Sequence, residues 1–69
     1  MKLTKGNIKK VIAENFSDYL VVNQIRIIKE DDKYLIARDM RQGVNAGVRL
    51  NDPNWEETLI SHIKWQLGI

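Results

Sequence analysis

The chain has 69 residues, of which 43% are hydrophobic and 29% are charged, and it contains no cysteine. That length permits a single domain with a small core, and the hydrophobic fraction argues against intrinsic disorder. The lack of cysteine excludes a disulfide framework or thiolate metal cluster and favours the cytoplasm. No stretch approaches the roughly 20 apolar residues of a membrane span, and no apolar signal region follows Met1. The net charge of +2 permits a polyanionic partner without requiring one.

The first predicted element is an amphipathic helix over residues 4–16. Its apolar residues recur at steps of three and four, namely Ile8, Val11, Ile12 and Phe16. Thr4 is the predicted N-cap. The opposite face is rich in lysine, and Lys9 is one of its members.

Three predicted strand regions follow the helix. Residues 19–29 are dense in β-branched side chains and form one long strand or two short ones, and residues 34–40 and 44–50 form two more strands. Short polar turns at 30–33 and 41–43 separate them. The sequence therefore predicts an α+β domain, in the order α-β-β-β-α, with a three- or four-stranded antiparallel sheet.

The turns suggest a register for this sheet. If Lys29 pairs with Tyr34 and Met40 with Val44, the two faces of all three strands can be assigned. The buried face then consists of Ile25, Ile27, Tyr34, Ile36, Met40, Val44, Val48 and Leu50. The other face consists of Gln24, Arg26, Ile28, Leu35, Ala37, Asp39, Asn45, Gly47 and Arg49. Arg38 falls on the core side, where we expect an acidic partner such as Glu14 or Glu57.

A second helix is predicted after the sheet. Asp52 can cap it with Pro53 in the first turn, or Asn54 can cap it with Glu57 three residues later. Its apolar stripe is Trp55, Leu59, Ile63 and Leu67, and Gly68 ends it. Trp65 lies off this stripe, which predicts an exposed aromatic at a partner surface or in a homodimer contact.

The sequence offers little to catalysis. His62 is the single histidine, and Ser17 and Ser61 are the only serines, neither of them in a nucleophile-elbow setting. The acidic run at 30–32 is typical of a solvated turn. We therefore expect a binding module that is not an enzyme, with no metal and no cofactor.

The basic residues on and around the sheet are the candidate binding residues. Guanidinium groups on a flat antiparallel sheet can contact phosphates and stack on bases. The predicted nucleic-acid or partner contacts are Arg26, Arg38, Arg41, Arg49, Lys33 and Lys9. Arg26 and Arg49 flank the small residues Ala37 and Gly47 on the face that is predicted to lie away from the core. The alternative is that these arginines balance Asp39 and the acidic turn.

The segment 47–55, GVRLNDPNW, together with the preceding basic strand KYLIARD at 33–39, resembles the single-stranded-DNA-binding domain of the positive-cofactor-four family of transcriptional coactivators. The resemblance covers about the last 40 residues. It implies a curved sheet, a dimer formed through the terminal helix, and DNA held by Arg26, Arg38 and Arg49. The element order is also similar to that of double-stranded-RNA-binding domains and HicA toxins, but the lysine cluster and the strand histidine of those families do not occur here.

Two functions from different classes remain open. One is a nucleic-acid-binding accessory protein, with single-stranded DNA favoured over duplex. The other is a protein-interaction module, such as a small inhibitor or regulatory subunit, for example of phage or mobile-element type.

Overall fold

The computed structural model describes residues 1–69, apart from the side chain of Val22. It confirms the predicted α+β class and the predicted order of elements. In chain order, these are α1 (Lys5–Phe16), a 3-10 turn (Val22–Gln24), β1 (Ile25–Glu30), β2 (Tyr34–Asp39), β3 (Asn45–Arg49) and α2 (Trp55–Leu67).

Helix α1 forms as the sequence predicts, but the strand after it begins late. The Thr4 hydroxyl accepts a hydrogen bond from the backbone N–H of Asn7 at 3.0 Å, so Thr4 is the N-cap. At the other end, the Phe16 carbonyl accepts the N–H groups of both Tyr19 and Leu20. This turn directs Leu20 into the core, where it is buried. The region predicted to be extended from residue 19 therefore becomes strand only at Ile25.

The sheet has the order β1-β2-β3, and both pairs are antiparallel. A bulge interrupts the β1–β2 register between Ile27 and Lys29. Side chains alternate between the two faces of a strand. The extra residue therefore changes which residues of β2 share a face with the start of β1. In the β2–β3 pair Arg38 lies opposite Asn45, one residue away from the predicted pairing of Met40 with Val44. That slip of one residue likewise changes which residues of β2 share a face with those of β3.

The predicted faces of β2 are therefore wrong. The predicted faces are correct for these residues of β1 and β3: Ile25, Arg26, Asn45, Gly47, Val48 and Arg49. Leu35, Ala37 and Asp39 are buried on the core side, while Tyr34, Ile36 and Arg38 lie on the other side. Arg38 is exposed and has no ion pair with Glu14 or Glu57 among the described side chains. The predicted core members Met40 and Leu50 lie just beyond the strand ends and are exposed, and Ile28 is exposed at the bulge.

The hydrogen bonds of Asp39 make this orientation of β2 possible. Its side chain is 1% exposed, and its two carboxylate oxygens accept the backbone N–H groups of Arg41 and Gln42. The Asp39 carbonyl accepts the N–H of Gly43, whose φ of 76° is in the left-handed region. A carboxylate that organises the loop in this way is satisfied although buried, so it can occupy the core side of the sheet.

Both helices cover the same face of the sheet. Helix α2 contributes Trp55, Leu59 and Ile63 to the core, as predicted, and α1 contributes its whole apolar stripe. The Asp52 carboxylate accepts the N–H of Asn54 at 2.8 Å and the Thr58 hydroxyl at 3.1 Å, so Asp52 organises the start of α2, and the Asn54 side chain forms no cap. Gly68 ends the helix with a left-handed φ of 74°. Among the described residues no helix is long and apolar enough to cross a membrane.

We predict that Leu59→Ala lowers the free energy of unfolding by about 2 to 5 kcal/mol, because Leu59 is fully buried between α2 and the sheet. Urea denaturation measures the loss. Leu50→Ala is the matched control, since Leu50 is 40% exposed and its truncation removes about 1 kcal/mol at most. Equal losses for the two variants would show that α2 does not form the core contact.

Candidate nucleic-acid interface

The side of the sheet away from the helices presents three rows of side chains across the strands. We call these eight residues the open face. The rows follow from the pairing of directly opposite residues, which are Arg26, Arg38 and Asn45 in the first row, Lys29, Ile36 and Gly47 in the second, and Tyr34 and Arg49 in the third.

Four of these eight residues are cations, and the acids of the strands lie elsewhere. Asp39 is buried on the covered face, and Glu30 lies opposite the buried Leu35 and forms an ion pair with Lys5 of α1. Of the ion pairs between described side chains, none includes an arginine. The alternative in which the arginines balance Asp39 and the acidic turn is wrong for Asp39, because loop amides engage its carboxyl group on the opposite side of the sheet. Asp32 of the acidic turn borders the same hollow as Arg49.

Arg26 and Arg38 lie directly opposite each other on neighbouring strands. Like charges in such a pair destabilise a sheet. The Arg26 guanidinium donates to the carbonyl oxygens of Asn23 at 2.7 Å and Ile25 at 3.1 Å, which holds it at the strand end. These neutral carbonyls leave both positive charges uncompensated, so the first row is suited to bind an anionic group.

The third row joins an aromatic ring to a guanidinium. The central guanidinium carbon of Arg49 lies 5.9 Å from the centre of the Tyr34 ring, at the outer range of a cation–π contact. Tyr34 and Arg49 together form a ridge with a shallow hollow on each side. One hollow of about 550 Å³ extends over Ile36 and Gly47 towards Asp52 and Thr58. The other, of about 440 Å³, extends towards Asp32, Lys33 and Leu50.

The β1–β2 turn holds Tyr34 in place at the start of β2. One carboxylate oxygen of Asp31 accepts the backbone N–H groups of Lys33 and Tyr34, both at 2.8 Å. The pKa of the Asp31 carboxyl is lowered, mainly by the hydrogen bond from the Lys33 N–H and next by the one from the Tyr34 N–H. The nearby Lys29 ammonium lowers it further. Since the folded-state pKa is the lower one, the ionised carboxylate stabilises this turn at neutral pH. That contribution disappears as the pH falls through the folded-state pKa.

The structure gathers some predicted site residues and separates others. Arg26, Arg38 and Arg49 share the open face, and Lys33 lines the hollow beside Arg49. Arg41 lies in the β2–β3 loop, where its backbone N–H donates to Asp39. Lys9 is on α1, in the layer that covers the other face of the sheet.

Sequence reasoning missed Tyr34, Ile36 and Lys29 as members of the open face. The available signal was the spacing of Tyr34, Ile36 and Arg38, which alternate along one strand and therefore share a face. An exposed position for Arg38 implies the same side for Tyr34, and the aromatic group that the predicted surface lacked would then have been found.

Comparisons of the chain with protein-family models, with curated proteins and with solved structures found no match.

We predict that Arg38→Gln raises the free energy of unfolding by about 0.2 to 1 kcal/mol, because it removes the repulsion from Arg26 across the strands. Urea denaturation at low and high salt measures the gain, which shrinks as salt screens the charges. Arg41→Gln is the control, since it makes the same charge change in the loop. An equal gain from Arg41→Gln would assign the effect to net charge and not to the cross-strand pair.

Proposed function

We propose that the protein is a non-catalytic nucleic-acid-binding protein of the cytoplasm that holds single-stranded DNA on the open face of its sheet. The observation that carries the proposal is the pairing of Arg26 with Arg38 on the uncovered face, with no carboxylate of the strands beside them. A phosphate group between the two guanidinium groups turns a repulsive pair into two charge-assisted contacts.

The shape of the face favours a single strand over a duplex. The major groove of DNA admits a helix or a two-stranded ribbon. Three strands about 4.8 Å apart form a wider surface, so the face can meet a duplex only at its backbone. A single strand exposes its bases as well as its phosphates, and the open face presents Tyr34 and Ile36 beside its cations. The face therefore complements both parts of a single strand.

We predict that the double variant Arg26→Gln/Arg38→Gln binds a single-stranded oligothymidylate at least about tenfold more weakly than the wild type. Removing one phosphate contact lowers the slope of log affinity against log salt by about 0.7, so the slope of the double variant is lower by about 1.4. Fluorescence anisotropy with single-stranded and duplex oligonucleotides at two salt concentrations measures both quantities.

The matched control is Lys9→Gln/Lys10→Gln, which removes the same charge from α1 on the other layer. The control keeps the wild-type affinity within about twofold if the open face is the interface. Equal losses of affinity for the two double variants would contradict this interface. No wild-type binding at low salt would remove the nucleic-acid proposal and favour the protein-interaction module.

We also propose that the protein forms a homodimer through α2. Trp65 is 79% exposed on this helix, and Ile69 just after it is 54% exposed, which is a large apolar surface for a chain with so small a core. Since α2 covers the opposite side of the sheet, a dimer through its outer surface leaves both open faces accessible.

We predict that Trp65→Ser converts this dimer to a monomer, and sedimentation velocity over a range of protein concentrations measures the change. Tyr19→Ser is the control, because Tyr19 is also exposed, at 47%, but lies in the turn after α1. A wild-type protein that remains monomeric at high micromolar concentration would rule out the dimer.

A further inference from the structure

We infer that the Tyr34 end of the open face is a stacking subsite for one unpaired nucleobase, so that the protein recognises bases as well as phosphates. This inference rests on the proposed function and deepens it. The inference is carried by the Tyr34–Arg49 ridge, by the hollow over Gly47, and by the distance of both from the Arg26–Arg38 pair.

The ridge contains a partly exposed aromatic ring. Tyr34 is half-buried, and the Asp31 carboxylate holds its backbone at the turn, so the ring projects from a constrained position. The Arg49 guanidinium covers one side of the ring at 5.9 Å from its centre. A base can stack on the other side, and Arg49 can add a cation–π contribution to its binding.

Gly47 keeps the space beside the ring open. It lies opposite Ile36 in the second row. The hollow of about 550 Å³ is lined by Tyr34, Ile36, Gly47, Arg49, Asn51, Asp52 and Thr58, so its outer end carries one acidic side chain. A Cβ atom at Gly47 would lie 3.5 Å from Cγ1 of Ile36, which is an ordinary contact, so the fold does not require glycine here. A larger side chain at this position would occupy the place of the base. Asn51 borders both hollows, and its amide can donate to or accept from a base edge.

The spacing between the two ends of the face matches a short single strand. Tyr34 and Arg38 are four residues apart on β2, which corresponds to about 13 Å. A stacked strand advances about 3.4 Å per nucleotide, so this distance corresponds to about four nucleotides. One oligonucleotide of five or six nucleotides can therefore place a phosphate at the arginine pair and a base at Tyr34. A peptide of Asp and Glu alone could contact the cations but supplies no aromatic ring for the ridge.

We predict that Tyr34→Leu weakens binding to a six-nucleotide oligothymidylate by about 5- to 150-fold, which is the range for removal of one base–aromatic stack. The same variant binds a six-nucleotide abasic oligonucleotide, with the same phosphates, as the wild type does. The salt slope stays unchanged, because the variant retains the cations that bind phosphate. Fluorescence anisotropy with the full chain measures the affinities, and urea denaturation checks that the variant is folded.

Two further variants sharpen this test. Tyr34→Phe retains the ring and keeps the wild-type affinity, whereas Gly47→Val fills the hollow and shows the same selective loss of affinity as Tyr34→Leu. Tyr19→Leu is the matched control and has no effect. If the wild type binds the thymidylate and abasic oligonucleotides equally, the stacking subsite is wrong although the proposed function stands. If it binds neither, both are wrong, and a preference for an acidic peptide would identify a protein partner instead.

Discussion

The register of β2 determines which side of the molecule carries its positive charge. A central strand with alternating side chains has two possible orientations, and a shift of one residue exchanges them completely. Here Leu35, Ala37 and Asp39 face the helices, so Tyr34, Ile36 and Arg38 face outward. Every feature of the open face depends on that choice, because β2 supplies a member of each of its rows.

The buried carboxylate of Asp39 is central to this register. A polar side chain that is 1% exposed is tolerated because the amides of Arg41 and Gln42 satisfy its oxygens. The same arrangement removes the negative charge nearest to Arg38 in the sequence from the side on which Arg38 lies. The residue that organises the loop is therefore also the acid that the open face lacks.

The two sides of the sheet accordingly differ in character. The helices bury the apolar side of the sheet, and the exposed Trp65 lies on the outer surface of α2. The open face retains a cross-strand arginine pair that weakens the sheet, together with a glycine at a position where a side chain would fit. Neither feature is needed to form the core, which lies on the covered side of the sheet.

The sequence by itself determined the element order, both helices with their buried stripes, the Thr4 cap, the glycine that ends α2 and the exposure of Trp65. These features depend on local spacing and on backbone preferences that a few neighbouring residues define. It also indicated Arg26 and Arg49 as outward-facing residues, because they alternate with apolar neighbours in their strands. Only the tertiary structure decided the orientation of β2, and with it the positions of Arg38 and Tyr34. The bulge near Ile28 and the buried Asp39 are favourable only when the whole core is assembled, so no local pattern reveals them.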